Sequence, residues 1–233
     1  MRSWSVVRWT GVLGLAAIVA QVLGTIVGSS AGSKPSIDDA TKFLAYVQSS
    51  HFASTTTLFL FFVGYSLFIG FIGGLRAIAA AAAPEHEWLA TTTFGAGVAI
   101  TVIALVDLGL GLTALAIAAS SHADAAQVRL LFEIEGVLGG APWLVPAAFY
   151  LGAAGSLGAA TKILPRWLAL VGWIGSVLML IASFSAYGAS NPAAFWSANG
   201  SVTILAFLPF LVWTLCAAVV FTRQKEGVAR RYR

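Results

Sequence analysis

The sequence predicts an all-α protein, a polytopic membrane chain folded as a bundle of six transmembrane helices. Three observations carry this expectation. Of 233 residues, 59% are hydrophobic and 9% charged, whereas soluble domains carry about 25% charged residues, and the mean hydropathy is +0.89. The apolar residues fall into six runs, each close to or above the roughly 20 residues that a spanning helix requires. Within the runs they are continuous rather than alternating, which selects helices over the closed β-barrel, the other architecture a bilayer permits. The same figures exclude a soluble globule, a disordered chain, a nucleic-acid binder and, since Cys216 is the single cysteine, a disulfide scaffold. The connections are short, so 1–233 is expected to be one transmembrane domain.

Span one runs from Gly11 to Ser29. Arg2 and Arg8 precede it and Ser29, Ser30 and Ala31 close it, as in a signal peptide, but its apolar stretch is long for one and it is taken as a membrane helix. The segment Ser30 to His51 contains Ser36 and Asp39 in a pattern like a capping box, with Ile37, Ala40, Phe43, Leu44 and Val47 at helical spacing. A short interfacial amphipathic helix between spans one and two follows, either a lid over a pocket or a shield for the bundle. Span two is Phe52 to Ala83, span three Leu89 to Ala119, span four Gly136 to Ala160, span five Trp167 to Tyr187 and span six Asn199 to Phe221. Gly70 and Gly74, Gly136 and Gly140, and Gly152, Gly155 and Gly158 recur every three or four residues, letting helix backbones approach where lipid offers no hydrophobic driving force. Pro142 and Pro146 in span four and Pro209 in span six each remove a backbone hydrogen bond and favour a kink.

Lysine and arginine set the orientation. With the N-terminus inside, ten of the thirteen fall on the inner side: Arg2, Arg8, Arg76, Lys162, Arg166, Arg223, Lys225, Arg230, Arg231 and Arg233. Lys34, Lys42 and Arg129 fall outside, so both termini are expected in the cytoplasm of a multi-pass protein of the plasma membrane. Trp4, Trp9, Trp88 and Trp167 near the inner boundary and Trp196 near the outer one suit an aromatic belt. The basic C-terminal tail serves topology or anionic headgroups.

The informative residues are three acids that no loop accommodates. Asp107 stands within span three beside Val106 and Leu108, and Glu133 and Glu135 stand at the outer end of span four among Phe132, Ile134 and Val137. A charged Asp near the bilayer centre costs roughly 2.5 to 3.5 kcal/mol on insertion scales, so an intramembrane acid is a functional hypothesis. Counting about 20 residues from Trp88 places Asp107 within about one turn of the outer interface, with the glutamates at or just above it. Residues two apart on a helix point to nearly opposite faces, so Glu133 and Glu135 do not share a cavity on a regular helix. Arg129 lies four residues before Glu133, a spacing that allows a pair although Arg preceding Glu is the weaker orientation, which leaves Asp107 and Glu135 as the pair to watch. An unpartnered carboxyl in apolar surroundings favours the neutral acid, which donates a hydrogen bond or a proton. The bland alternative has Asp107 bonded to a neighbouring helix and the glutamates among headgroups.

Other chemistries find little footing. His51, His86 and His122 lie outside the depths of the spans, which argues against bis-histidine haem, and His51, His122, Asp124 and the glutamates lack metal-motif spacing. Glu85-His86-Glu87 lacks the second histidine of a zinc-protease helix. No lysine lies within a span to form a retinal Schiff base, and Ser156 has no histidine in span six to activate it. No metal or cofactor is expected.

Lys162-Ile163-Leu164-Pro165-Arg166-Trp167-Leu168 joins spans four and five. This LPRWL phrase after a Gly/Ala-rich helix resembles a group of poorly characterised bacterial, often actinobacterial, six-helix membrane proteins, including a family of unknown function. The resemblance covers mainly spans three to five, implies the six-helix architecture and transfers no functional residue.

The leading expectation is a protein that binds or transports a lipid-like or small amphipathic molecule through an outward-facing cavity, with Asp107, Glu135 and Glu133 as candidate ligand-binding acids. One alternative is an intramembrane enzyme using a protonated carboxyl as general acid on an apolar, isoprenoid-like substrate, its catalytic residues unassigned. Another is a structural or assembly subunit whose small-residue faces meet a second copy or another membrane protein. The bilayer itself is a partner in every case.

Overall fold

Apolar length becomes helix along nearly all of the chain. A computed structural model describes residues 5–35, 37, 39–187, 195 and 201–223. Among these the elements are α1 (Val6–Ser29), α2 (Ala40–Ser49), α3 (His51–Ala82), α4 (Glu87–Ala118), α5 (Ala125–Leu138), α6 (Ala141–Thr161), α7 (Arg166–Ser183) and α8 (Ser201–Arg223), with no strand. A 3₁₀ turn over Pro84–His86 leads into α4, and another over Phe184–Tyr187 extends α7. Among the described residues six stretches are long and apolar enough to cross a membrane. The expectations for Arg2, Trp4, Ser36, Asp38, Trp196, Asn199, Lys225, Arg230, Arg231 and Arg233 lie outside the described residues.

The long helices form a ring in chain order. α1 packs on α3, α3 on α4, α4 on α6, α6 on α7, α7 on α8, and α8 closes against α1. Small residues let the backbones meet. A Cβ on Gly11 would stand 2.7 Å from the Ala218 carbonyl of α8, and one on Gly172 would stand 2.8 Å from the Leu151 carbonyl of α6. Gly70 receives Leu13, Gly74 receives Thr10, and Gly152 receives Ser176. Phe68, Phe71, Tyr150, Phe210 and Trp213 fill the inside of the ring, all essentially without solvent exposure. Tyr150 meets Trp213 edge to face with ring centroids 5.6 Å apart.

α2 is amphipathic, as its spacing predicts, but it begins at Ala40 rather than Ile37. Asp39 is its cap, accepting the Lys42 backbone N–H at 3.1 Å. An aspartate carboxylate is a strong N-cap acceptor, so the helix starts immediately after it. Phe43 and Val47 turn inward onto a second apolar cluster with Leu58, Leu115 and Val128. Gln48 donates to the Ala118 carbonyl at 2.9 Å, tying α2 to the C-terminal end of α4.

The fourth apolar stretch departs most from the sequence reading. The glutamates are not on the end of a helix that continues inward: α5 carries them, and α6 begins anew after Gly139 and Gly140. Two consecutive glycines weaken the helix, and Gly140 leaves the helical region at φ −85, ψ −128. Pro142 then has no N–H to offer the carbonyl four residues back. It occupies the first turn of α6 and starts that helix instead of kinking it, whereas Pro146 and Pro209 do lie inside helices. α5 packs chiefly on α4 and α2.

Candidate functional site

Four helices bring polar groups together near the α2 end of the ring. Asp107 and Gly111 lie one turn apart on the same face of α4. Glu135 of α5 approaches that face. Its Oε1 is 3.2 Å from the point a Gly111 Cβ would occupy, and Leu58 Cδ1 of α3 is 3.0 Å from the same point. The absent side chain at Gly111 is what admits the carboxyl. Asp107 and Glu135 are electrostatic neighbours, and Asp107 Oδ1 is buried with no hydrogen-bond partner.

Glu133 faces elsewhere. Arg129 Nε donates to its Oε1 at 2.8 Å, and both side chains are more than a third exposed. α5 thus shows Glu133 to its surface and Glu135 to α4. Tyr65 of α3 is a further electrostatic neighbour of Asp107 and extends toward the Trp143 indole of α6. The indole N–H nonetheless has no aligned hydrogen bond. Deeper in the ring, the Tyr150 and Thr214 hydroxyls approach each other with the same lack of alignment.

A cavity of about 180 Å³ is lined by residues of α1 to α5 and of the connection before α2. Lys34, Phe43, Thr57, Leu58, Leu115 and Phe132 contribute to its lining. Leu58 is therefore shared, lining the cavity on one side and reaching the Gly111–Glu135 contact on the other. Lys34 Nζ lies over the Phe43 ring at 5.4 Å and the Phe132 ring at 4.9 Å from the centroids. It is also the cationic neighbour of Glu135. Thr57 Oγ1 donates to the Gly24 carbonyl at 3.2 Å, fixing this part of α3 against α1.

Above the cavity, on the exposed surface of α2, Lys42 Nζ pairs with Asp39 at 2.9 Å. The hydrogen bonds from Lys42 hold the Asp39 carboxyl below its ordinary 3.8, and Asp39 holds the Lys42 ammonium above its ordinary 10.5.

His51 begins α3, His86 lies in the turn before α4 and His122 in the connection after it. Among the described residues no three His, Cys, Asp or Glu side chains gather as a metal site. Ser156 accepts the Trp173 indole N–H at 3.1 Å. Sequence reasoning missed Lys34, which it counted only for topology, and also Phe43 and Phe132 as ring partners, Gly111 and Tyr65. No local spacing signals these, because they come from the connection before α2, from α2, α5, α4 and α3. No family model matches the chain, and neither a curated protein nor a solved structure matches it.

Proposed function

We propose that the chain is a multi-pass protein of the bacterial plasma membrane, with both termini cytoplasmic. It binds a small amphipathic molecule in an outward-facing cavity beneath α2 and transports it with the Asp107–Glu135 pair exchanging a proton or cation. One observation carries this reading: a largely apolar cavity at one end of the bundle shares Leu58 with the contact between Gly111 and Glu135, and Glu135 is the electrostatic neighbour of Asp107, which has an unpartnered buried oxygen. A carboxylate kept in apolar surroundings carries an insertion cost, which exchange with a proton or cation relieves.

The orientation follows the positive-inside rule. Arg8, Arg76, Lys162, Arg166 and Arg223 belong to the helix ends and turns opposite the cavity, and Lys34, Lys42 and Arg129 to its own end. α2 then lies at the outer interface. The cavity is smaller than the roughly 300–1,000 Å³ of pockets for drug-sized ligands. It takes a head group with a few carbons, which favours this reading over an enzyme acting on a folded isoprenoid. The aromatic filling of the ring below the acids means that transport proceeds by rearrangement of α5 and its neighbours rather than through a standing pore.

Native mass spectrometry of the gently solubilised protein tests the reading. A bound small amphiphile is expected, and Leu115→Trp, which fills the cavity, removes it. A bare wild-type chain, or an adduct equally retained in Leu115→Trp, refutes the proposal.

A further inference from the structure

We infer that the cavity is an organic-cation site and that Lys34 is its tethered occupant, its ammonium standing where the ammonium head of an amphipathic amine binds. The inference rests on the ligand-binding reading above and names the substrate class.

The site has helix-borne walls and one movable part. Phe43 is wholly buried on α2 and Phe132 belongs to α5. Their rings meet edge to face, with centroids 5.1 Å apart and planes at 80°. Both lie within the roughly 6 Å at which a ring quadrupole attracts a cation, as Lys34 Nζ demonstrates. Leu58 and Glu135 meet at the bare face of Gly111, and Asp107 is the electrostatic neighbour of Glu135. Two electron-rich rings in the wall and the Glu135 carboxyl, the electrostatic neighbour of Lys34, are complementary to positive charge.

The positive charge itself comes from the connection between α1 and α2, just after Gly32, whose φ of +82 makes the turn. Lys34 is exposed and reaches the rings on a flexible four-carbon stem. It leaves by side-chain rotation, without unpacking a helix. Its departure strips Glu135 of a cationic neighbour, and an incoming ammonium restores that charge. Val47, Leu58 and Leu115 then offer the apolar wall that a short alkyl chain requires. An anionic head would gain Lys34 but would lie against the same rings and oppose the same carboxyl, so the cation is favoured.

The test compares three probes sharing one six-carbon chain: hexyltrimethylammonium, hexanol and hexanoate. Each is titrated calorimetrically into the full chain in maltoside micelles, which carry no charged headgroup. The cation is expected to bind at least tenfold more tightly than the other two. Lys34→Gln, a surface change, removes the internal competitor and tightens cation binding about three- to tenfold. Phe132→Leu keeps apolar bulk and weakens it by a similar factor, with thermal unfolding reporting that the fold is retained. Preferential binding of hexanoate that is lost in Lys34→Gln overturns the cation site while leaving the ligand-binding reading intact. Cation binding unchanged by Lys34→Gln overturns the role of Lys34 as occupant. Absence of binding by all three probes overturns both readings.

Discussion

Gly111→Ala probes the approach of α5's acid to α4. The new methyl would stand 3.0 Å from Leu58 Cδ1 and 3.2 Å from Glu135 Oε1. Both neighbours are the ends of flexible side chains, which yield by a few tenths of an ångström. Overpacking costs about 1–3 kcal/mol, and the low end applies where side chains can step aside. Alanine recovers about 0.8–1 kcal/mol of helix propensity over glycine on aqueous scales. The two effects nearly cancel, so stability is expected to change by less than about 1 kcal/mol. Gly172→Ala provides the contrast. Its methyl would meet the Leu151 carbonyl at 2.8 Å and Gly155 Cα at 3.0 Å, backbone that yields only if α6 and α7 separate. The overpacking term then reaches its upper end, and a net loss of about 2 kcal/mol or more is expected. Titration of maltoside micelles with dodecyl sulfate, followed by tryptophan fluorescence, measures both. The site adds a second readout: Gly111→Ala shifts Glu135 and changes amphiphile affinity severalfold, whereas Gly172→Ala leaves the affinity of the folded protein unchanged. Equal destabilisation by the two variants would refute the packing argument. Unchanged affinity in Gly111→Ala would detach Glu135 from the ligand.

The remaining predictions concern single groups. Glu133→Gln breaks only a half-exposed ion pair, so stability is expected to move by less than about 0.5 kcal/mol and ligand affinity not at all, while Glu135→Gln weakens binding of a cationic amphiphile; isothermal titration of both variants decides, and equal effects count against the division of α5 into two faces. Tyr150→Phe removes a fully buried, unaligned hydroxyl without changing the ring packing, so it is expected to be neutral or to stabilise by up to about 1 kcal/mol; a loss larger than that in the same dodecyl sulfate titration would mean that Tyr150 is bonded to Thr214. The hydrogen bonds from Lys42 lower the Asp39 pKa, so their contribution is complete above the ordinary value of 3.8 and is lost as pH falls through the lower folded-state value. Amide exchange in α2, corrected for its intrinsic rate, is therefore expected to accelerate only below the usual aspartate range. At neutral pH, Asp39→Asn protects α2 better than Asp39→Ala because it retains the cap acceptor.

The architecture was legible because the bilayer imposes length and continuity on the sequence. Each of the six apolar runs corresponds to a stretch able to span, and the amphipathic spacing before span two marks α2. The division of the glutamates was legible too: two residues along a helix rotate a side chain to the opposite face, and four residues back from Glu133 stands Arg129. Asp107 and Glu135 draw attention by their apolar neighbours alone. Their proximity is another matter, since it depends on Gly111, and a glycine in an apolar helix reads as a packing residue with no indication of what it admits. Lys34 illustrates the same limit. Positive-inside reasoning uses the side on which its charge falls and is blind to the rings beneath it.

The start of α6 explains why the fourth stretch misled and why the acids meet. Hydropathy treats 125–161 as one span, because Gly139 and Gly140 are neither charged nor strongly polar, and a proline near them reads as a kink. The backbone treats the same residues as punctuation. After Gly140 turns aside, its carbonyl accepts the N–H groups of Trp143 and Leu144 and a new helix begins. Freed from the line of α6, α5 settles on α4 and α2. That placement serves both halves of the site: Glu135 reaches the bare face at Gly111, and Phe132, nearly one turn earlier, completes the ring pair with Phe43. A continuous helix would tie the direction of α5 to α6 and couple the site to the packed interior. The break lets the cavity wall follow α2 and α4, and it leaves Phe132 and Glu135 less than one turn apart on the same short helix.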